Sequence, residues 1–245
     1  MFNRDQAATV YAECAQNTFQ LLLNPSEEKK TPFAFLWHSV LFFIFFSGNF
    51  FMVTRLYLVR HGQTTADKGC FVGSSDLPLS GHGLARLESV SNRLAQVKSW
   101  YCSPMIRCRQ TLKALEKLGC AGGSVVEDER LREIDFGRWE MKTFAEIAAR
   151  DTRVVDGWVE YHGFSFPEGE SVADFVARVE SILDDLQNSK QHRIAVITHG
   201  GVIRTIICLA LGLSPRDYLL FDVAPASLTI LDLYDQGAIL KGLNL

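Results

Sequence analysis

The chain has no excess of either charge: its formal net charge is -3, with 25 basic and 28 acidic residues in 245. A dedicated nucleic-acid binder would carry a basic excess or basic clusters, so that class of function is disfavoured. Cysteine pairing is also missing. The six cysteines (14, 70, 102, 108, 120 and 208) form no C-x-x-C pair, and no histidine stands at zinc-site spacing from them. They read as scattered thiols in a reducing compartment rather than as a disulfide scaffold. The apolar run begins far from Met1 and has no small-residue cleavage site, so a secretory signal fits poorly. What is present is apolar: 47% hydrophobic against 22% charged residues. That suffices for a sizeable core and excludes a disordered chain. At roughly 100–200 residues per domain, the length fits one large domain or two small ones.

The composition divides at residue 51. Ten of the seventeen Phe precede residue 52, and PFAFLWHSVLFFIFFSGNFF, from Pro32, has His38 as its only titratable side chain. Two readings are open for residues 1–51. The run at 32–51 has the length of a single membrane anchor. Alternatively, Met52 is the natural start and the leader is an over-long reading frame. The second is favoured, because the strand-like RLYLV begins three or four residues after the run. A buried strand needs neighbours on both edges and helices on both faces, which leaves little room against a bilayer. Residues 1–31 show only a helical hint around Val10–Leu23.

From Met52 onward, strand-like and helix-like runs alternate. Strands are expected at Arg55–Val59, Trp100–Cys102, Ser124–Glu127 and Arg193–Thr198, with a final hairpin of Leu228–Leu233 and Ala238–Leu243. Helices are expected over Ser80–Val97 with Ser80 as cap, from Ser103-Pro104 onward, over Phe144–Arg150, in the 156–161 region, from a Ser171-x-x-Asp174 cap to Asn188, and over Val202–Leu211. The pattern implies a mostly parallel sheet covered on both faces, with ligands bound beyond the carboxyl ends of the strands. Two strands end alike: RLYLV runs into Arg60-His61-Gly62, and RIAVIT into His199-Gly200-Gly201. If they are parallel neighbours, both histidines face one pocket, and the glycines let backbone N–H groups approach an anion.

Such a pocket suits phosphoryl transfer, which needs cations and N–H donors around the equatorial oxygens. Arg60 is one cation. Arg107, in the first turn after Ser103-Pro104, is the second, ahead of Arg109. A neutral His61 can attack phosphorus, kept deprotonated by the arginines and fixed in tautomer by a hydrogen bond to a backbone carbonyl. Glu133 is the candidate acid, ahead of Asp135 and Glu140, and would need a raised pKa.

The segment Leu58-Val59-Arg60-His61-Gly62-Gln63-Thr64 resembles the signature of the histidine phosphatase superfamily. Further blocks follow in that family's order: Asp76-Leu77-Pro78-Leu79-Ser80 with Gly83, Ser103-Pro104-Met105-Ile106-Arg107 with Gln110-Thr111, Leu131 to Glu140, and Thr198-His199-Gly200. The resemblance covers nearly all of 54–245. It implies an α/β fold, the phosphoglycerate mutase-like three-layer α/β/α sandwich with a mostly parallel central sheet. It implies His61 as nucleophile, a phosphohistidine intermediate, Arg60, Arg107 and His199 as phosphate ligands, Glu133 as proton donor and then base, and no metal or organic cofactor. Gly62, Gln63, Thr64 and Gly200 join the candidate substrate-binding set; Gln63 and Thr64 could equally hold their loop. One departure is Asp67, where the family often has Asn: its carboxylate would repel a phosphate, so either it turns away or this contact is lost.

Only 36 residues separate Glu133 from Gly169-Glu170-Ser171. The mutases of the family carry a long insertion there, so the spacing favours a phosphatase. The segments after Phe136, at Asp156-Gly157-Trp158 and at Phe166-Pro167-Glu168-Gly169-Glu170 look most like α-ribazole phosphatases of cobalamin biosynthesis. Alternatives are a broad-specificity or sugar-phosphate phosphatase, a phosphoglycerate mutase-type phosphotransferase, and a membrane-tethered non-catalytic binder. Trp158, Tyr161, Phe164 and Phe166 either wall a pocket for a benzimidazole ring or belong to the core. His82, His162 and His192 read as surface residues. The expected partner is a small-molecule phosphate ester, without nucleic acid and with a membrane only if 32–51 is an anchor. The expected compartment is the cytoplasm, and the oligomeric state is left open, a homodimer included.

Overall fold

The computed structural model describes residues 53–84, 86–120, 123–150 and 163–245. The leader at 1–51 and the 151–162 stretch, with its expected helix at 156–161, lie outside them. Six strands form one sheet: β1 (Thr54–Arg60), β2 (Ser99–Cys102), β3 (Ser124–Glu127), β4 (Arg193–Thr198), β5 (Leu228–Tyr234) and β6 (Gly237–Gly242), in the order β3-β2-β4-β1-β5-β6. The first four in that order run parallel, and β5 and β6 are antiparallel additions. The sheet is thus mixed, with four parallel strands from the β3 edge to β1 and the expected hairpin at the other edge.

Alternation along the central strands builds two cores. Leu56, Leu58, Ile194 and Val196 face one side, where Val179 and Ile182 of α4 (Val172–Gln187) and Ile203 and Ile206 of α5 (Gly200–Ala210) pack. Tyr57, Val59, Ala195 and Ile197 face the other, against α1 (Leu87–Leu94) and α2 (Ile106–Lys117). A strand buried on both faces is a continuous apolar run, which is why RLYLV and RIAVIT stood out. The short α3 (Phe144–Arg150) has its expected bounds.

Two helix starts differ from expectation. Helix α1 begins at Leu87, not Ser80. The Ser80 amide donates to the Gln63 carbonyl at 2.8 Å, in a loop pairing beside the Thr64–Leu79 bridge, so Ser80 is held away from the helix. Helix α2 begins at Ile106, after an extended Met105, and Ser103 does not cap it. Asp76, thirty residues upstream, accepts from the Ile106 amide at 2.7 Å instead. The Ser171 cap of α4 is as expected, accepting from the Asp174 amide at 3.0 Å. Among the described residues, no helix is long and apolar enough to cross a membrane.

Candidate active site

The register of β1 on β4 pairs Arg60 with Thr198, so the next residue of each strand leaves the sheet at the same edge. The His61 amide continues the ladder onto the Thr198 carbonyl at 2.9 Å. The rings of His61 and His199 stand 5.0 Å apart, edge to face.

His61 is buried, at 8% exposure, and its Nδ1 is 2.7 Å from its neighbour's carbonyl, Gly62 O. A carbonyl only accepts, so Nδ1 carries the proton and Nε2 keeps its lone pair. Burial, first, and then the charges of Arg107 and Arg60 push its pKa down to about 3. The arginines had been expected to keep the ring neutral; desolvation does more.

Arg107 is completely buried. Its Nη1 and Nη2 each donate at 2.7 Å, to the carbonyls of Ser75 and Gly73, and its Nε donates to His199 Nδ1 at 3.1 Å. His199 Nδ1 is therefore an acceptor, and Nε2–H faces the Ser103 hydroxyl at 2.8 Å. His199 is wholly buried, and burial followed by the proximity of His61 and the arginines holds it well below the usual imidazole range. Arg60 donates through Nη1 to the Val223 carbonyl. Its Nε is buried without a hydrogen-bond partner among the described residues. A buried cationic N–H left open in this way can donate to an anion.

A cavity of about 520 Å³ opens beside this cluster. Its polar wall holds Arg60, Glu133, Gly200, Gly201 and Arg204; its apolar wall includes Phe71, Phe136, Phe166 and Phe175; Tyr218 and Leu219 complete it. Glu133 is held at the N-terminus of α5, where Oε2 accepts from the Gly201 amide at 2.9 Å, and Oε1 accepts from Ile134 at 3.2 Å. The partial positive charge of that helix end favours an anion bound in the cavity beside it.

A family model for the histidine phosphatase superfamily (branch 1) matches residues 56–245. The chain belongs to that superfamily. A Hydrogenobacter thermophilus protein provisionally named phosphoserine phosphatase 2 is 32% identical over 194 residues, 78% of this chain and 95% of that one. The adenosylcobalamin/alpha-ribazole phosphatase of Escherichia coli is 26% identical over 195 residues, again 78% and 95% of the two chains. The crystal structure of the alpha-ribazole phosphatase from Shigella flexneri superposes with a TM-score of 0.69 at 26% identity, covering 78% of this chain and 96% of that one. The fold is the expected phosphoglycerate mutase-like α/β arrangement, and the chain is a phosphatase of the superfamily.

Within this superfamily site, the remaining sequence candidates separate clearly. Gly62 is a packing glycine: a Cβ there would lie 2.0 Å from the Gly83 carbonyl, and its amide donates to Thr111 Oγ1. Gly200 packs on the Arg60 guanidinium, 3.2 Å from where its Cβ would be. Gln63 is exposed and Thr64 half-buried; neither lines the cavity. Asp67 is exposed and also absent from the cavity wall. Arg109 pairs with Glu127 on the surface. Asp135 and Glu140 accept hydrogen bonds from the 73–75 and 136–137 loops, and of the three acidic candidates Glu133 alone lines this cavity. Phe166 lines the cavity, whereas Phe164 packs on Trp139 in the core. His82 and His192 are exposed. Trp158, Tyr161 and His162 lie outside the described residues.

Sequence reasoning missed Ser103 as the partner of His199, and it missed Arg204 and Tyr218. Arg204 lies four residues after Gly200, on the same face of α5, and that spacing could have singled it out. Its Nε donates to the Phe221 carbonyl at 2.8 Å, and Nη2 is 4.0 Å from exposed Asp222. Tyr218 comes from the 3₁₀ turn Pro215–Leu220, which opens on Ser214-Pro215.

Proposed function

We propose that residues 52–245 form the catalytic domain of a phosphomonoesterase that works through phosphohistidine at His61, and that its substrate is a ring-bearing phosphate ester, α-ribazole 5′-phosphate. The observation that carries the catalytic part is the bond of His61 Nδ1 to the Gly62 carbonyl, which leaves Nε2 with its lone pair, in a ring kept neutral by burial and by the charges of buried Arg107 and half-buried Arg60. In the first step Nε2 forms the N–P bond while the P–O ester bond breaks. Glu133 gives its proton to the leaving oxygen, and the guanidinium of Arg60, with its open Nε, and that of Arg107 carry the equatorial charge. In the second step water attacks phosphorus, Glu133 takes the water proton, the N–P bond breaks, and inorganic phosphate leaves with His61 restored. His199 braces Arg107 through Nδ1 beside the same phosphoryl group. Gly200 and Gly201 bring the α5 N-terminus to it. Gln63 and Thr64 act by holding the loop after the nucleophile. The five free thiols of the described residues suit a cytoplasmic enzyme.

The aromatic wall supports the ring-bearing substrate: Phe136 and Phe166 stand edge to face at 5.0 Å, with Phe71 against Phe136 at the same distance. A second reading, a phosphoserine phosphatase, is favoured by Arg204, whose guanidinium in the cavity wall would pair with a substrate carboxylate. Steady-state rates on α-ribazole 5′-phosphate, phosphoserine, 3-phosphoglycerate and fructose 1,6-bisphosphate separate the two. The expected result is the highest kcat/KM on the ribazole ester, lowered by Phe166→Ala and little changed by Arg204→Met. Preference for phosphoserine, lost in Arg204→Met, would establish the second reading instead.

A further inference from the structure

Glu140 takes no part in the chemistry above, yet it is the most heavily bonded carboxylate near it. Its two oxygens accept from four backbone amides: Gly73 (3.1 Å to each oxygen), Ser74 (2.9 Å), Ser75 (3.2 Å) and Phe136 (3.1 Å). Three successive N–H groups converging on one anion form a nest. The carbonyls of two of the same residues serve a different group. Gly73 O and Ser75 O accept from Nη2 and Nη1 of Arg107. One three-residue loop therefore lies between a carboxylate and a guanidinium, with its amides on the first and its carbonyls on the second.

The loop has little freedom to do otherwise. A Cβ at position 73 would lie 1.9 Å from Ile134 O and 2.5 Å from Glu140 Oε1, so the backbone approaches as only glycine allows. At its far end, Asp76 is fixed to the start of α2, the helix that carries Arg107. Arg107 is wholly buried, and both of its terminal nitrogens donate to these two carbonyls. A shift of the loop would turn the guanidinium, and with it the Nε contact to His199.

We propose that Glu140 is a positioning residue for phosphoryl recognition: by clamping the amides of 73–75 it sets the two carbonyls that aim Arg107 at the phosphoryl group. This rests on the reading of Arg107 as a phosphate ligand, and the test keeps the two apart. Glu140→Gln keeps the size of the side chain but turns an NH₂ group toward amides that need an acceptor. Arg107→Lys keeps the charge and loses the fork.

Both single variants and the double variant are assayed on an aryl phosphate, with the inhibition constant of inorganic phosphate measured alongside and folding checked by thermal melting. Glu140→Gln is expected to lower kcat/KM about tenfold to a hundredfold and to weaken inhibition by inorganic phosphate, as a misaimed binding group would. The double variant is expected to be no worse than Arg107→Lys alone, because both act through one guanidinium. Losses that multiply, or an unchanged phosphate inhibition constant in Glu140→Gln, would overturn the proposal. An unchanged constant in Arg107→Lys would instead overturn the reading of Arg107. Should Glu140→Gln fail to fold, Glu140→Asp, which keeps the charge and withdraws it by one methylene, is read in the same way: weakened phosphate inhibition supports the proposal and an unchanged constant refutes it.

Discussion

Lowering the pH from 8 to 4.5 should leave the His61 imidazole uncharged. An ordinary histidine with a pKa of about 6.5 is only about 3% neutral at pH 5. With its pKa pushed down to about 3, His61 is about 99% neutral at the same pH. The cause is burial first, then Arg107 and Arg60, with the Gly62 carbonyl bond opposing them. The same depression carries a stability cost of definite sign. In the unfolded chain this ring takes a proton as the pH falls through about 6.5, and in the folded chain it does not until about 3. Between those values the unfolded state binds more protons, so His61 lowers stability as the medium becomes more acidic and is without effect above the unfolded pKa. The loss at pH 5 is about 2 kcal/mol, on the basis of 1.36 kcal/mol per pH unit below the unfolded midpoint. Long-range ¹H–¹⁵N correlation spectra of the imidazoles, with the His61→Ala spectrum to identify the resonance, read the charge directly. The spectrum should show Nδ1 protonated, Nε2 bare and no titration down to pH 4.5. A midpoint near 6.5, or a proton on Nε2, would refute the picture of a buried nucleophile held neutral.

Three further outcomes are expected. Ser103→Ala leaves the Nε2–H of buried His199 without its acceptor, so the chain should lose about 1–3 kcal/mol of stability, and phosphatase activity should fall with it; unchanged denaturant midpoint and rate would contradict the bond at 2.8 Å. Asp76→Ala removes the cap on the Ile106 amide, a loss of about 1 kcal/mol, read by thermal melting as a drop of about 2–4 °C; an unshifted melt would show that water replaces the cap. On the proposal that Arg60 and Arg107 meet the transferred charge, EDTA treatment should leave turnover unchanged; activity lost to the chelator and regained with a divalent cation would oppose a metal-free reaction.

Much of this was legible in the chain. The β1 and β4 runs are apolar on both faces and end in Arg60-His61 and His199-Gly200, so their pairing could be expected before any geometry was known. The choice of Arg107 over Arg109 rests on its offset from Ser103-Pro104, and the structure puts Arg107 at His199 and Arg109 on the surface. What was not legible came from long-range partners. Ser80 and Ser103 both carry local capping signals, yet the Gln63 carbonyl and His199 engage them first. Asp76 caps a helix thirty residues away, and the clamp of Glu140 on residues 73–75 spans a still longer separation. The dominance of burial over the arginines at His61 was beyond reach for the same reason, since desolvation depends on how the whole chain packs.

The most direct measurement is the location of the phosphoryl group itself. Substrate turnover is quenched in alkali, where phosphohistidine survives, and the digested chain is mapped by tandem mass spectrometry. The phosphoryl group is expected on the peptide containing His61, on Nε2, and absent from His61→Ala. A phosphoryl group on His199 or another side chain, or turnover in His61→Ala with none trapped, would contradict His61 as the nucleophile.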